Sequence, residues 1–327
     1  MQRSKALALG LAVLMLLAVA ATGCAGQKKA AYPEKPIELV VPYAPGGGSD
    51  VLGRHIADIV QKEKILPQPF NVVNKPGAGG QVGMSYVNTK KGDPYVILTF
   101  ITGQVSGPKT VPGAVPASVF TPVARLALDE ECIVVKIDSR YQTIEQLMEA
   151  AKQGEKAVSM GGTAVGQEDQ MVTVMLEQAS GVKFNYIPFD SGGEVMKALL
   201  GGHIDAAWAN PNECVSQVDG SLAKVIAVAA PQRLKKWPDA PTLKEKGYDV
   251  VFEQFRGIVG PPEMPQDAVK VLAEAFKKLS ESQDWQSRYI ERNALTSAYQ
   301  GPDEFAAYMK EVDQLTTELL KALGLVK

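Results

Sequence analysis

The residues best placed to do chemistry in this 327-residue chain are glycines followed by small polar groups. Pro45-Gly46-Gly47-Gly48-Ser49-Asp50 follows the apolar run Ile37–Val41. It precedes a segment in which Leu52, Ile56, Ile59 and Val60 recur at the spacing of one helix face. That order reads as strand, glycine turn and helix, with Ser49 or Asp50 suited to the N-cap. A loop without side chains at a helix N-terminus leaves backbone N–H groups pointing outward, where the helix dipole favours an anion. A tight turn that binds nothing has the same sequence, so companions decide between the two. Three exist. Phe70–Asn74 leads into Lys75-Pro76-Gly77-Ala78-Gly79-Gly80, and a strand over 157–160 leads into Gly161-Gly162-Thr163-Ala164-Val165-Gly166. Phe184–Phe189 leads into Asp190-Ser191-Gly192-Gly193. Two units precede residue 130 and two lie between 157 and 200. This implies two lobes presenting amides to a shared cleft, a site for a small anion.

Signatures of catalysis fail at the same loops. No Lys follows Gly46–Gly48 as a P-loop requires, and Val51 and Val82 stand where G-x-G-x-x-G needs its last glycine. Ser49 is followed by Asp50-Val51, so there is no nucleophile elbow. The two histidines, His55 and His203, are far apart and lack ligand spacing, so no metal or cofactor is expected. Asp129-Glu130-Glu131 reads as a solvated turn. Cys132 and Cys214 read as buried free thiols, although export would permit a bridge. Met171, Met175 and Trp208 read as core. Binding without chemistry is the expectation.

The elements that must position these loops alternate strand and helix, which predicts an α/β fold with largely parallel sheets. Tyr95–Phe100 is a strand with Thr102-Gly103-Gln104 at its carboxyl end, and 105–122 is an irregular excursion. Strands follow at Val123–Leu128, Ile133–Ile137, Ile204–Ala209, Lys224–Ala230 and Phe255–Val259. Thr143 caps one helix with Gln146 three residues on, and helices follow Pro265 and Pro302. The formal charge is −2 with no basic stripe, so nucleic acid is not an expected partner. At the N-terminus, Arg3 and Lys5 precede an apolar run from Ala6 to Ala21. That run is shorter than the ~20 residues of a membrane span and has the three parts of a secretory signal peptide. Losing residues 1–23 removes Arg3 and Lys5 and takes the charge from −2 to −4.

Several of these motifs, taken in order, resemble one family. Tyr32-Pro33-x-Lys35-Pro36-Ile37, Pro42-Tyr43-Ala44-Pro45-Gly46-Gly47-Gly48-Ser49-Asp50 and Asn74-Lys75-Pro76-Gly77-Ala78-Gly79-Gly80 are similar to the solute-binding proteins of tripartite tricarboxylate transporters, the Bug-type receptors. Leu199-Leu200-Gly201-Gly202-His203-Ile204-Asp205, Pro241-Thr242-Leu243 and Pro302-x-Glu304-Phe305 continue the match over nearly the whole chain. The resemblance implies a two-lobed type II periplasmic-binding-protein fold. Its lobes close on a small di- or tricarboxylate or related acid, which is delivered to a two-subunit membrane permease. It implies lobe 1 from residues 35–129 and 252–327, and lobe 2 from 130–251. The residues expected at the ligand are Ala44, Gly46, Gly47, Gly48, Ser49 and Asp50, with Gly77, Ala78, Gly79 and Thr102, from the first lobe. The second lobe is expected to supply Thr163, Val165, Gly166, Gln167, Gln170, Asp190, Ser191 and Asn210. Gly23-Cys24 resembles a bacterial lipobox, with Ala21 where Leu is usual. This implies that Cys24 is lipidated and that 24–34 form a tether; an ordinary cleaved signal peptide is the alternative. The expected state is an extracytoplasmic, lipid-anchored monomer.

The second lobe departs from the family pattern. Gln167 and Gln170 stand where a small hydroxyl residue and then His are frequent, and Asp190 stands where Lys or a similar residue is frequent. An anion beside Asp190 is repelled unless paired, which favours an amine or hydroxyl at the ligand's distal end. Asp190 capping the helix at Glu194 and pointing away is the other reading. An exported α/β enzyme acting on an anion, and a carboxylate sensor reporting to a membrane kinase, are the alternative functions.

Overall fold

The structure, a computed structural model, describes residues 32–154 and 156–326; the expected signal peptide and the expected lipidation site Cys24 lie outside the described residues. The first part of the chain forms β1 (Ile37–Val41), α1 (Gly48–Lys62), β2 (Phe70–Asn74), α2 (Gln81–Asn88), β3 (Val96–Ile101), α3 (Thr102–Ser106) and β4 (Thr121–Glu130). A second set follows: β5 (Cys132–Lys136), α4 (Ile144–Ala151), β6 (Ser159–Thr163), α5 (Glu168–Ser180), β7 (Asn185–Phe189), α6 (Gly192–Leu200), β8 (Ala206–Ala209), α7 (Pro211–Asp219) and β9 (Ala223–Val228). The chain then returns through β10 (Glu253–Gly260), α8 (Gln266–Glu281), β11 (Thr296–Gln300) and α9 (Pro302–Ala322).

Two sheets result, ordered β11-β4-β10-β3-β1-β2 and β7-β6-β8-β5-β9. Each contains three parallel strands, β2-β1-β3 in one and β7-β6-β8 in the other. The expectation of largely parallel sheets is corrected to mixed ones. Strands that carry the chain between lobes, β4, β5 and β10, enter antiparallel to their neighbours. The helices bury the stripes that the sequence marks. Leu52, Ile56, Ile59 and Val60 of α1 are at most 1% exposed and pack with Ile37 and Leu39. Each such side chain contributes about 1.5–3 kcal/mol of burial.

The crossing between lobes is where sequence and structure differ most. β4 passes into β5 through Glu131 alone, and the return segment lies beside it: Ala229 N–H donates to Glu131 O at 2.8 Å and Phe252 N–H to Ala229 O at 2.8 Å. Asp129, Glu130 and Glu131 are therefore no solvated turn. They are 0, 2 and 0% exposed, because the strand runs straight through the junction. The last helix also crosses, so residues 252–327 do not all stay with the first lobe. Phe305, Met309 and Val312 of α9 pack with Phe100 and Phe255, whereas Leu319 and Leu320 pack in the other core with Trp208 and Met171. Trp208 is fully buried and donates through Nε1 to Thr173 Oγ1 at 2.8 Å, and Cys132 and Cys214 are buried free thiols.

The third glycine unit is also relocated. Gly161 and Gly162 lie inside β6, and the loop begins after Thr163. These glycines make room for neighbours rather than for a turn. A Cβ on Gly162 would lie 2.5 Å from the Tyr186 hydroxyl and 2.6 Å from Asp169 Cβ. Gly162→Ala is therefore an overpacking substitution. Chemical denaturation is expected to show a loss of about 1–3 kcal/mol, and an unchanged midpoint would contradict this account of the strand glycines.

Candidate functional site

On the first lobe, α1 starts at Gly48 with Gly47 as N-cap, ahead of the expected Ser49 or Asp50. Gly47 brings no side chain, so the first N–H groups of the helix carry no side-chain cap. Asp50 braces the loop instead. Its carboxylate accepts from Gly46 N–H at 2.9 Å, Arg54 Nε at 2.9 Å and Asn74 Nδ2 at 2.8 Å. Burial acts to raise its pKa, but bonds from Arg54, Gly46 and Asn74 outweigh it and hold the carboxyl below its ordinary value. Both oxygens thus accept from the protein, and Asp50 holds the loop in place. Asn74 also donates to Tyr43 O at 3.1 Å, fixing the strand entry. Ser49 is buried, while Ala44, Gly46, Gly47, Gly77, Ala78 and Gly79 are exposed on the lobe surface.

The second lobe repeats the device. Gly166 N–H donates to Gln170 Oε1 at 2.7 Å, the same four-residue spacing as Gly46 and Asp50. Gly46 and Gly166 both adopt positive φ, +88° and +78°, which favours glycine at each. Gln170 is thereby another bracing residue. Thr163 N–H donates to Asp169 Oδ2 at 2.6 Å, and the Tyr186 hydroxyl donates to Thr163 O. Ser191 Oγ accepts from Glu194 N–H at 3.3 Å and caps α6, so Asp190 is not the cap; it is exposed at the rim. Asn210 donates through Nδ2 to Glu131 Oε1 at 3.1 Å, a buried contact at the lobe junction. Thr102 Oγ1 accepts from Phe255 N–H at 3.3 Å and faces the crossing strand. Val165 is exposed.

Among the described residues, two of the places where the lobes meet lie beside the glycine loops. Gly103 lies against Gln167 and Glu168: a Cβ on Gly103 would sit 2.9 Å from Glu168 Oε1 and 3.2 Å from Gln167 Oε1. Gly48 and Val51 share a cavity of about 10 Å³ with Asn212 of the other lobe and with Asp129 and Arg256 at the junction. A larger cavity of about 250 Å³ lies behind the junction, between Phe252, Glu253 and Thr102 on one side and Tyr308, Leu315 and Thr316 of α9 on the other.

Composition and motif gave no sign of the charges at this junction. Arg256 of β10 is 5% exposed, pairs with Asp129, and lays its guanidinium against Gly48, whose Cβ would be 3.0 Å from both Nη atoms. Burial pulls against its charge, and Asp129 more than compensates, so the guanidinium pKa is raised. Around this cation stand Glu131, Glu168, Asp169 and Glu213. None of the four takes part in an ion pair among the described residues. Burial pushes Glu168 up to about 7, its own backbone amide and Arg256 pulling back and Asp169 adding to the rise. Glu213 reaches about 7 through burial and then the charges of Asp169 and Asp129. Glu131 is held well above its ordinary value by burial and by four carboxylates. Gln104, in the Thr102-Gly103-Gln104 stretch, has Oε1 bonded to Ile101 N–H at 3.0 Å and a buried Nε2 with no partner.

A two-lobed α/β molecule with braced amide loops on both sides of an interlobe gap has the architecture of a periplasmic binding protein. Residues 52–325 match the model of the tripartite tricarboxylate transporter family receptor, and the chain belongs to that family. A Cupriavidus necator protein described as the UPF0065 protein in the gbd 5' region is 28% identical over 297 residues, covering 90% of each chain. A TctC solute-binding protein from Polaromonas, solved without ligand, is 34% identical with a TM-score of 0.76 over 89% of this chain and 100% of its own. An R. palustris protein solved with adipate superposes with a TM-score of 0.79 at 20% identity, covering 90% of this chain and 99% of its own, a likeness of fold.

The acidic junction sets a pH dependence. Glu168 and Glu213 have folded pKa values near 7 against an ordinary 4.5. The folded state therefore binds more protons than the unfolded one between those values, and stability falls as pH rises through the window. Thermal midpoints are expected to be higher at pH 5 than at pH 8, with Glu168→Gln reducing the difference. A midpoint that rises over that range would contradict the assignment.

Proposed function

We propose that this protein is an extracytoplasmic receptor that captures a small organic carboxylate between its lobes and delivers it to the membrane permease of a tripartite tricarboxylate transporter. One observation carries the reading. Two glycine loops, each locked by a side chain four residues on, flank the gap from opposite lobes and begin helices whose first amides are free of side-chain caps on α1 and α5. Hydrogen bonds from such amides to a charged acceptor are of the strong kind, and the helix dipoles add to them. Family membership supports the same ligand class, as does the adipate held by the R. palustris protein of this fold.

The role of the lobes is capture. A ligand that touches both favours the closed arrangement by its differential affinity, and the permease reads the closed surface. Catalysis has no part in this reading, in which the loops bind and release an unchanged acid. No helix among the described residues is long and apolar enough to cross a membrane. In this reading, attachment to the membrane falls to a lipid on Cys24, and the receptor acts as a monomer.

Thermal-shift measurements over a panel of di- and tricarboxylates, amino acids and aromatic acids test the proposal. A bound acid at one hundred times its dissociation constant stabilises by about 2.7 kcal/mol. Asp50→Ala frees Gly46 and Asn74 together, and is expected to weaken binding of the best acid at least tenfold. A panel without any stabilising acid would overturn the reading.

A further inference from the structure

We propose that the second-lobe wall of the cleft reads a cationic amine, so that the ligand is an amino acid or another zwitterion with an ammonium group beyond its carboxylate. The inference rests on the carboxylate-receptor reading above and adds the chemistry of the ligand's other end. Glu168 carries it. This residue opens α5, is 7% exposed, and presents Oε1 to the first lobe at Gly103, where the Gly103 backbone amide approaches it and no side chain donates to it. A buried carboxylate oxygen left unpaired at a lobe boundary costs free energy until a donor reaches it. Among the described residues no cation pairs with it. Arg256 is committed to Asp129, and Asp169, Glu131 and Glu213 behind Glu168 add charge or bound protons of the same origin. Asp190, exposed at the head of α6, adds another negative group at the rim.

The opposite wall has the complementary pattern. The first lobe offers the uncapped amides of α1 and the buried, unpartnered Nε2 of Gln104, all of them donors. Donors without acceptors on one side and an acceptor without a side-chain donor on the other describe a ligand with an anionic acceptor at one end and a donor at the other. A second carboxylate on the Glu168 side would meet like charge in a water-poor gap. An ammonium group there donates to Glu168 Oε1, and its charge favours the ionised form of that carboxyl.

Isothermal titration of matched pairs tests this: alanine against propionate, 4-aminobutyrate against butyrate, and 2-aminoadipate against adipate, with the 2-hydroxy acid lactate as the neutral-donor arm. The best amino member is expected to bind at least tenfold tighter than its partner without nitrogen. Glu168→Gln is expected to erase that preference by weakening the amino member, and to tighten rather than weaken the binding of adipate. Equal or tighter binding of the partner, or of lactate relative to alanine, overturns the inference while leaving a carboxylate receptor in place. No binding by any member overturns the carboxylate reading and the inference together. The wild-type comparison stands alone should the variant fail to fold.

Discussion

The junction of the lobes hangs on one ion pair. Arg256 of β10 and Asp129 of β4 lie on adjacent strands of the first sheet, and both are removed from water. Taking either charge alone into that position would be costly, and only their pairing makes the burial tolerable. The guanidinium then lies flat on Gly48, so a single cation ties both crossing strands to the start of α1. Its commitment has an electrostatic corollary. The remaining carboxylates of the junction have no charge partner, and they respond as buried acids do, by holding protons to higher pH.

The two lobes answer the same mechanical need with different residues. Each must hold a flexible glycine loop still while leaving its amides free, and each uses a side chain one helical turn on to accept from the loop. The first lobe uses a charged acceptor, Asp50, whose excess charge is absorbed by Arg54 and Asn74. The second uses a neutral one, Gln170. The difference fits the surroundings. Beside Glu168 and Asp169 another carboxylate would add repulsion, whereas an amide braces without charge. A His at this position would introduce a titrating group into the same cluster.

Much of this was legible in the sequence. Apolar runs followed by glycine and then a helical stripe located β1, β2 and the helices after them, and the family motifs fixed the two-lobed arrangement. Legibility failed where tertiary neighbours decide. Gly161 and Gly162 looked like loop because glycine is the commonest loop residue; they are strand because Ile204, Tyr186 and Asp169 pack over them. Asp129-Glu130-Glu131 looked solvated because three acids usually are. The overlooked signal was the lack of any Gly, Pro or Asn between two strand-like runs, which leaves no means of turning. Arg256 lies more than two hundred residues from Gly48, so no local pattern could connect them.

The last helix gives the molecule a mechanical property that neither sheet has. At 21 residues α9 is about 30 Å long. Its first turns are embedded in one core through Phe305, its last in the other through Leu319 and Leu320. Beyond it, Leu325 lies against Gly166 on the second-lobe loop. The strands at the junction can act as a hinge, but the helix behaves as a leaf spring fastened at both ends. Parting the lobes must flex or slide it, so the opening is elastic and limited in amplitude. The load falls next to the loop that a ligand would hold, and part of the work of parting the lobes is stored in the helix itself.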